Sequence, residues 1–185
     1  MDRDLVSLSR FVSLVLRHDP GAIGLRLDAN GWSDVNELID NAAVHGKPID
    51  RAILERIVAE NDKKRFAFSP DGQRIRANQG HSVAVDLALA PISPPQILFH
   101  GIAARNLASI RAVGLHRGER QHVHLSSDAA TATKVGGRHG KPVVLTVRAG
   151  DMAAAAHIFY RSDNGVWLTA AVPPNFLDFP DPAQA

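Results

Sequence analysis

A proline-broken segment divides the sequence and constrains its fold more than any other feature. Residues 83–95 read VAVDLALAPISPP, an apolar stretch interrupted by three prolines. Proline lacks a backbone donor and disfavours the helical conformation at the residue before it, so this stretch cannot form one continuous helix. We therefore expect a connector that lies on the surface of the second of two lobes, residues 1–82 and 96–185.

The first lobe has the pattern of three short helices followed by a hairpin. Apolar residues at helical spacing predict a first helix near the start of the chain. Asp34, with Glu37 three residues later, predicts a capping pair at the start of a second helix, and Asp50 opens a third. Strand patterns on both sides of Pro-Asp-Gly, within residues 65–77, predict a hairpin. This order of elements is typical of a winged-helix fold.

The second lobe is richer in strands. A helix is predicted near residues 103–113, and Asp128 predicts the start of another short helix. The Asn164-Gly165 turn predicts a hairpin between the last two strands. Strand patterns occur at residues 96–101, 122–126, 141–147, 157–161 and 165–172. The fold class predicted for the whole chain is therefore α+β.

The composition restricts the compartment and the partners. The 185 residues, 45% of them hydrophobic, suffice for two small lobes that each bury a core. The sequence has no cysteine, which excludes disulfides and thiolate zinc sites and makes a reducing cytoplasm the simplest compartment. It has no apolar run of membrane-spanning length, so we expect no membrane contact. A net charge of +2 predicts that any contact with nucleic acid is local.

Residues 120–127, RQHVHLSS, read as a half-buried strand. On a strand, alternate side chains share a face, so His122, His124 and Ser126 lie together and the residues between them face a core. Two imidazoles could ligate zinc if His100 supplied a third ligand, but no carboxylate stands at a familiar ligand spacing nearby. The pattern therefore favours a polar strand face without a metal.

Four basic residues raise a second question. Arg17 and His18 fall in the last turn of the first helix, where cations suit the helix dipole and the terminal carbonyls. Spacing alone favours that capping role over a phosphate clamp, for which arginine offers a planar fork and histidine a charged donor. Arg65 opens an alternating strand and Arg120 precedes the His-Val-His strand. What matters is whether the four converge.

The common nucleotide-binding motifs are absent from the sequence. No G-x-G-x-x-G follows a strand. Residues 135–142, VGGRHGKP, imitate a P-loop, but the glycine spacing fails and proline replaces the Ser/Thr that would hold magnesium. A Rossmann dehydrogenase and a P-loop NTPase are both disfavoured, and this segment is predicted to link a helix to a strand.

Seven short motifs, in order, resemble the NAD-dependent RNA 2′-phosphotransferase family, which includes the tRNA splicing 2′-phosphotransferases. The resemblance spans about residues 5–177. The motifs are LRHDP, KKRFAF, IRANQGHS, LFHGI, RQHVHLSSD, VGGRHGKPVVL and NGVWLTAAVPPNFL. The resemblance implies an N-terminal winged-helix lobe that binds RNA, joined to a C-terminal lobe of the ADP-ribosyltransferase type that binds NAD. We expect a cytoplasmic monomer.

The activity implied by the resemblance is removal of an internal 2′-phosphate from RNA, with NAD as the acceptor. The phosphate attacks the anomeric carbon of the nicotinamide ribose and nicotinamide leaves. The ribose 2″-hydroxyl then attacks phosphorus, which yields RNA with a 2′-hydroxyl and ADP-ribose 1″,2″-cyclic phosphate. No metal takes part in the family's reaction.

The resemblance also assigns site residues. The family's essential Arg-His-Arg-Arg set is similar to four residues of this chain, expected to meet at one phosphate: Arg17, His18, Arg65 and Arg120. Such preorganised cations would stabilise charge that develops on the phosphoryl oxygens. His18 is expected to hold the phosphate or to carry the 2″-hydroxyl proton. Arg76 and His81 of the IRANQGHS motif are expected to contact the other lobe or the RNA backbone.

The NAD pocket implied by the resemblance is built from two strands. Its expected residues are His100, Gly101, His124, Leu125 and Ser126. Gly101 is expected to let the backbone approach the dinucleotide closely. Ile102 stands where the family usually has threonine, which removes one hydroxyl donor.

Two other function classes stay open. The same pocket could transfer ADP-ribose to terminal phosphates of RNA or DNA, because the first chemical step is shared. Protein acceptors are disfavoured, since residues 163–172, DNGVWLTAAV, lack the catalytic glutamate that protein-modifying transferases carry near the last strand. A non-catalytic winged-helix binding module would also fit the first lobe, but not the polar residues retained in the second.

Overall fold

The chain forms two compact units that combine helices and strands. The structure, a computed structural model, describes residues 3–61 and 63–180. The units comprise Met1–Ala88 and Leu89–Ala185, and the division falls inside the segment 83–95. The mixture of elements confirms the α+β class. Within the described ranges, no helix is both long and apolar enough to cross a membrane.

The first unit contains three helices and a small antiparallel sheet. The elements are α1 (Arg3–Arg17), β1 (Ser33–Asp34), α2 (Val35–Val44), α3 (Arg51–Glu60), β2 (Phe66–Phe68) and β3 (Arg74–Ala77). The predicted hairpin is confirmed, and it gains a third strand that the sequence pattern did not indicate, in the order β1-β3-β2.

Aspartate caps start two of these helices, as predicted. The carboxylate of Asp34 accepts the backbone N–H groups of Asn36 and Glu37, and that of Asp50 accepts the N–H of Ile53. These bonds satisfy donors that have no partner inside the helix. Glu37 does not complete the predicted pair, because its Oε1 accepts from Nε of Arg26 at 3.0 Å. That ion pair on the surface replaces the reciprocal bond of a capping box.

The core of the first unit lies between the helices and the sheet. Val12, Val15 and Leu16 share one face of α1 and are fully buried. They belong to one cluster with Leu38, Leu54, Ile57 and Ile75. Each such side chain contributes about 1.5–3 kcal/mol by leaving water. The packing fixes the rotation of α1, and with it the direction of the polar residues on its other face.

The second unit is built on short antiparallel sheets. The helices are α4 (Leu107–Val113), α5 (Ala129–Gly136) and α6 (Ala149–Ala154). The strands are β4 (Leu98–Ala103), β5 (Leu115–His116), β6 (Val123–Leu125), β7 (Pro142–Val147), β8 (Phe159–Arg161), β9 (Trp167–Thr169), β10 (Ala171–Val172) and β11 (Leu177–Asp178). The strand orders in the sheets are β11-β7-β4, β6-β9-β8 and β10-β5.

The predicted elements of this unit are largely confirmed. The carboxylate of Asp128 accepts the N–H of Thr131 at 2.7 Å and starts α5. Strands β8 and β9 form the hairpin expected at the Asn164-Gly165 turn. The single strand predicted at residues 165–172 is wrong, because the chain breaks it into β9 and β10, which pair with different partners. Strands β5 and β11 and helix α6 have no counterpart among the sequence predictions.

The His-Val-His strand alternates as predicted. Val123 and Leu125 lie in the core at 3% and 1% exposure, whereas His124 between them is half-buried. Two backbone hydrogen bonds between Phe99 and Ser126, of 2.9 and 2.8 Å, join this strand to β4. Strand β4, which carries His100, therefore lies beside the polar residues of β6.

Helix α5 lies directly on the backbone of β4. A Cβ atom on Gly101 would overlap the carbonyl oxygen of Ala132, and one on Gly136 would lie 2.7 Å from the carbonyl oxygen of Ile102. Real Cβ atoms do not approach backbone atoms so closely, so both glycines are required by helix–strand packing. Helix packing thus explains why residue 101 is a glycine without the predicted approach of a dinucleotide. The place of Gly101 in an NAD pocket stays a prediction.

We expect Gly101→Ala to destabilise the second unit, because neither backbone can move aside without disturbing β4 or α5. The free energy of unfolding should fall by about 2 kcal/mol or more. Urea unfolding followed by Trp167 fluorescence, in a Trp32→Phe background, measures it. The matched control is Gly137→Ala, where a Cβ would meet only Pro142 at 3.9 Å. Equal midpoints for the two variants would contradict this packing account.

Candidate active site

One cavity of the first unit collects three of the four predicted basic residues. It has a volume of about 710 Å³ and lies along one face of α1, beside the chain that follows α3. We call it the α1 cavity. Its polar lining residues are Ser9, Arg10, Ser13, Arg17, His18, Glu60, Asn61, Lys63 and Arg65. The first unit therefore brings Arg17, His18 and Arg65 to one hollow.

Arg17 is the last residue of α1 and is almost fully buried. The residue is 9% exposed, and its Nη1 donates to Oγ of Ser13, one turn earlier, at 3.1 Å. Val15 and Leu16, its neighbours in sequence, are buried in the core. A guanidinium that is largely removed from water is poorly hydrated, which suits the binding of an anion.

Arg65 is held through its backbone by a buried asparagine. Oδ1 of Asn61 accepts the N–H groups of Lys63 and Arg65 at 3.1 and 3.4 Å, and its Nδ2 donates to Oγ of Ser9 at 3.3 Å. From the other side, the carbonyl of Arg65 accepts the N–H of Asn78 at 2.8 Å. Burial lowers the pKa of the Arg65 guanidinium, which nevertheless stays charged at any physiological pH.

Positive charge dominates the α1 cavity. Arg10 and Lys63 lie on its wall in addition to Arg17, His18 and Arg65, and among the described lining residues Glu60 is the one carboxylate. Glu60 accepts a hydrogen bond from Nε of Arg56 at 2.9 Å, which offsets its negative charge. Several cations that share one concave surface focus a positive potential on its interior, so the cavity is suited to a phosphate-bearing ligand.

In the second unit, His100, Arg120 and His124 form a cluster that we call the His100 cluster. Nδ1 of His100 lies 2.8 Å from the carbonyl oxygen of His124, and Nη1 of Arg120 lies 3.4 Å from Nδ1 of His124. Burial lowers the pKa of His100, the bond to the His124 carbonyl raises it, and the charge of Arg120 lowers it further. His100 is thus a neutral ring beside a permanent cation at neutral pH.

The remaining residues of the predicted NAD pocket differ in what they can contribute. Ser126 is half-buried next to the bridge to β4. Leu125 is 1% exposed and belongs to the core, so its side chain cannot line a pocket and only its backbone could contact a ligand. Ile102 is also a core residue, which explains an apolar side chain at that position.

His122, the other imidazole of the strand, contacts Tyr160. Their ring centroids lie 5.5 Å apart in an edge-to-face arrangement, and burial together with the charge of Arg117 lowers the pKa of His122. In the part of the chain that the structure describes, no three His, Asp or Glu side chains form a group that could hold a metal ion.

The structure brings together three of the four basic residues predicted for the phosphate site. Arg17, His18 and Arg65 share the α1 cavity. Arg120 belongs to the second unit, and its meeting with the other three at one phosphate stays a prediction. Sequence reasoning missed Asn61, although an asparagine that directly follows a helix and precedes a basic turn is a recognisable end signal.

Comparison with known proteins identifies the family. Residues 3–171 match the family described as RNA 2′-phosphotransferase, Tpt1 / KptA family. The chain belongs to the RNA 2′-phosphotransferase family. The relatives below are each named "Probable RNA 2′-phosphotransferase". That of Pseudomonas aeruginosa (strain UCBPP-PA14) is 56% identical over 179 residues, which cover 96% of this chain and 98% of the relative.

Two further members of the RNA 2′-phosphotransferase family are also similar to this chain over nearly its whole length. That of Agrobacterium fabrum is 59% identical over 169 residues, or 91% of each chain. That of Acaryochloris marina is 53% identical over 177 residues, which cover 96% of this chain and 98% of the relative. The family assignment made from seven short motifs is thereby confirmed.

His81, from one of those motifs, is buried rather than available to RNA. It is 1% exposed, and neither ring nitrogen has a hydrogen-bond partner among the described residues. Burial, followed by the positive charges of Arg17, His18 and Arg76, lowers its pKa from 6.5 to about 4. A predicted contact between this ring and the RNA backbone is therefore wrong.

His81 should make the stability of the first unit depend on pH. The folded unit keeps the ring neutral down to about pH 4, whereas the unfolded chain takes up a proton near pH 6.5. The contribution of the neutral His81 ring to the free energy of unfolding is therefore fully present above pH 6.5. It is lost as the pH falls toward 4, by about 3 kcal/mol in total. Hydrogen exchange of peptides from the first unit, between pH 4.5 and 7.5, measures this slope.

Two variants separate His81 from the other histidines. His81→Gln should flatten the slope, even if it lowers stability at every pH. His45→Gln, at an exposed position after α2, should leave the slope of the wild type unchanged. A slope that persists in His81→Gln would assign the pH dependence to another group.

Proposed function

We propose that this member of the RNA 2′-phosphotransferase family transfers an internal 2′-phosphate from RNA to NAD. The products would be RNA with a 2′-hydroxyl, nicotinamide and ADP-ribose 1″,2″-cyclic phosphate, formed without a metal. The observation that carries the proposal is the convergence of Arg17, His18 and Arg65 on the α1 cavity. The family itself is defined by removal of a 2′-phosphate from RNA.

The α1 cavity would bind the RNA phosphate and stabilise its transfer. Arg17 and Arg65 supply planar forks that match phosphoryl oxygens, and both are partly or wholly removed from water. Ser13 accepts a hydrogen bond from the Arg17 guanidinium and Asn61 accepts one from the backbone N–H of Arg65, so both residues are positioned before negative charge develops on those oxygens. Transfer of a phosphoryl group needs positioning and electrostatic stabilisation more than covalent help from the protein.

His18 and Arg120 would complete the site. His18 lies on the cavity wall, where its ring can donate to a phosphoryl oxygen or take up the proton of an attacking hydroxyl. That proton must finally reach the RNA 2′-oxygen, which departs as a hydroxyl. Arg120 is assigned as the fourth cation on the phosphate.

The His100 cluster has the donor set that NAD requires. A neutral His100 can exchange hydrogen bonds with ribose hydroxyls without adding charge, and Arg120 beside it is the cation assigned to the RNA phosphate. His124 and Ser126 add polar groups on the neighbouring strand. NAD, when bound, supplies the ribose carbon that accepts the phosphate and the nicotinamide that leaves. We assign His100, His124, Ser126, and the backbone of Gly101 and Leu125 to its binding.

The proposal also assigns a role to each of the two lobes, an oligomeric state and a cellular compartment. The element order of the first unit, three helices with a three-stranded antiparallel sheet, supports a winged-helix lobe that binds RNA. The second unit is assigned as the ADP-ribosyltransferase-like lobe. We expect a monomer that works in the cytoplasm on tRNA-like substrates, as the tRNA splicing members of the family do.

The α1 cavity has room for more than one phosphate group. Its volume of about 710 Å³ lies within the range of pockets that enclose a whole small molecule, about 300–1,000 Å³. Arg10 stands two turns before Arg17 on α1, about 10 Å away along the axis. An internal 2′-phosphate is always flanked by backbone phosphates, so Arg10 and Lys63 are placed to contact one of them.

The decisive experiment combines purified protein, NAD and an oligoribonucleotide that carries one internal 2′-phosphate. Nicotinamide and 2′-hydroxyl RNA should both appear in buffer that contains EDTA. Arg65→Ala should lower kcat by about 10²–10³, because it removes one preorganised cation from the transition state. Arg26→Ala, a surface arginine paired with Glu37, is the matched control and should retain the wild-type rate.

Other acceptors provide the contrasting arm of this experiment. An oligonucleotide with a 5′-terminal phosphate, incubated with labelled NAD, reports transfer of ADP-ribose to a chain end. If label accumulates there while the internal 2′-phosphate remains intact, the chain is an ADP-ribosyltransferase of terminal phosphates. If neither substrate reacts and calorimetry with NAD shows no heat, the second unit has no NAD-dependent function.

Arg10→Ala should weaken RNA binding without changing the phosphate chemistry. We expect the slope of log affinity against log salt to fall by about 1, as for the loss of one backbone phosphate contact. Fluorescence anisotropy with the 2′-phosphorylated oligoribonucleotide, in the absence of NAD, measures it over a range of salt concentrations. An unchanged slope, equal to that of Arg26→Ala, would remove Arg10 from the RNA site.

A further inference from the structure

We propose that the segment Gly80–Ser82 positions Arg17 and His18, with Ser82 as the positioning residue that orients the His18 ring. The proposal rests on the proposed function, since it assigns the support of the same phosphate site. Three separate contacts join this segment to the end of α1. They are a side-chain hydrogen bond from Ser82, a backbone hydrogen bond from Ser82 and the packing of Gly80 against Arg17.

The hydrogen bond joins side chains that are far apart in sequence. Nδ1 of His18 lies 2.9 Å from Oγ of Ser82. His18 follows the last turn of α1 and is exposed, and a hydrogen bond to its ring restricts the rotamers that the ring can adopt. A bond to Nδ1 fixes the ring plane, and this determines where Nε2, on the opposite side of the ring, is presented to the α1 cavity.

The backbone contact ends α1. The carbonyl oxygen of Arg17 accepts the N–H of Ser82 at 2.9 Å and that of Val83 at 3.4 Å. Carbonyls in the last turn of a helix lack partners inside the helix and need them from elsewhere. Backbone N–H groups of Ser82 and Val83 supply donors at this end of α1, so basic side chains are not needed to cap this carbonyl. The guanidinium of Arg17 lies instead on the wall of the α1 cavity.

Gly80 provides the surface against which the Arg17 guanidinium packs. A Cβ atom at Gly80 would overlap Nη2 of Arg17 and lie 2.9 Å from Cζ. Gly80 also has a φ of +83°, a conformation that other residues rarely adopt. Any larger residue would therefore push the guanidinium away from its place beside Ser13.

A hydroxyl suits either chemical role of His18. It can donate to Nδ1, which places the ring proton on Nε2 for a bond to a phosphoryl oxygen. It can also accept from Nδ1–H, which leaves the Nε2 lone pair to take a proton, or from the doubly protonated ring. Ser82 therefore holds one ring geometry through a change in protonation, as a group that first binds phosphate and then moves a proton requires.

The test compares Ser82→Ala with Ser82→Thr, which restores the hydroxyl, and with Ser7→Ala on an exposed part of α1. In the protein without substrate, the ¹⁵N chemical shifts of the His18 ring should change in Ser82→Ala and stay near wild type in the other two. With NAD and the 2′-phosphorylated oligoribonucleotide, Ser82→Ala should lower kcat about tenfold and change KM less than twofold, as for one lost hydrogen bond.

The outcomes separate this proposal from the proposed function. Wild-type ring shifts and wild-type kcat in Ser82→Ala would overturn the positioning role. An equal loss of kcat in Ser82→Thr would do the same, because the hydroxyl would then be irrelevant. If the wild type removes no 2′-phosphate, the proposed function fails, and the ring shifts alone still decide whether Ser82 orients His18. Circular dichroism that matches the wild type excludes unfolding as the cause.

Discussion

The site of the first unit depends on bringing like charges together on one concave surface. Arg17, His18 and Arg65 line one cavity, and the contacts that place them include the hydroxyls of Ser13 and Ser82 and the amide of Asn61. Hydrogen bonds from these neutral groups leave the charge of the cations in place, whereas a carboxylate partner offsets part of it. Cations that lie close together repel one another, so the folded core has to hold them there.

The sequence predicted those features that are local in the chain. Asp50 and Asp128 cap helices that begin within three residues of them, and the strand around His124 alternates between core and surface. Such patterns arise from backbone geometry alone. Strands of two residues, such as β1 and β5, carry no periodicity, because their pairing is decided by distant segments. The bond between His18 and Ser82 spans 64 residues and has no local signal either.

Gly101 shows that one position can be restricted by two neighbours. The family resemblance implies that a dinucleotide approaches its backbone, which stays a prediction, and the structure adds that helix α5 lies against the same residue. A motif identifies which positions tolerate no side chain and does not identify the neighbour that imposes the restriction. Only the three-dimensional arrangement distinguishes a ligand from a helix.

Helix α1 packs one face into the core and lines the cavity with the adjoining face, and this limits which changes of sequence the helix tolerates. Val12, Val15 and Leu16 fix one face in the core, while Arg10, Ser13 and Arg17 line the cavity on the next. Since each residue turns a helix by about 100°, inserting or deleting one residue between them would swing the arginines out of register with the packed stripe. Substitutions along α1 are therefore compatible with the site, whereas an insertion or deletion between its buried residues and its cavity residues is not.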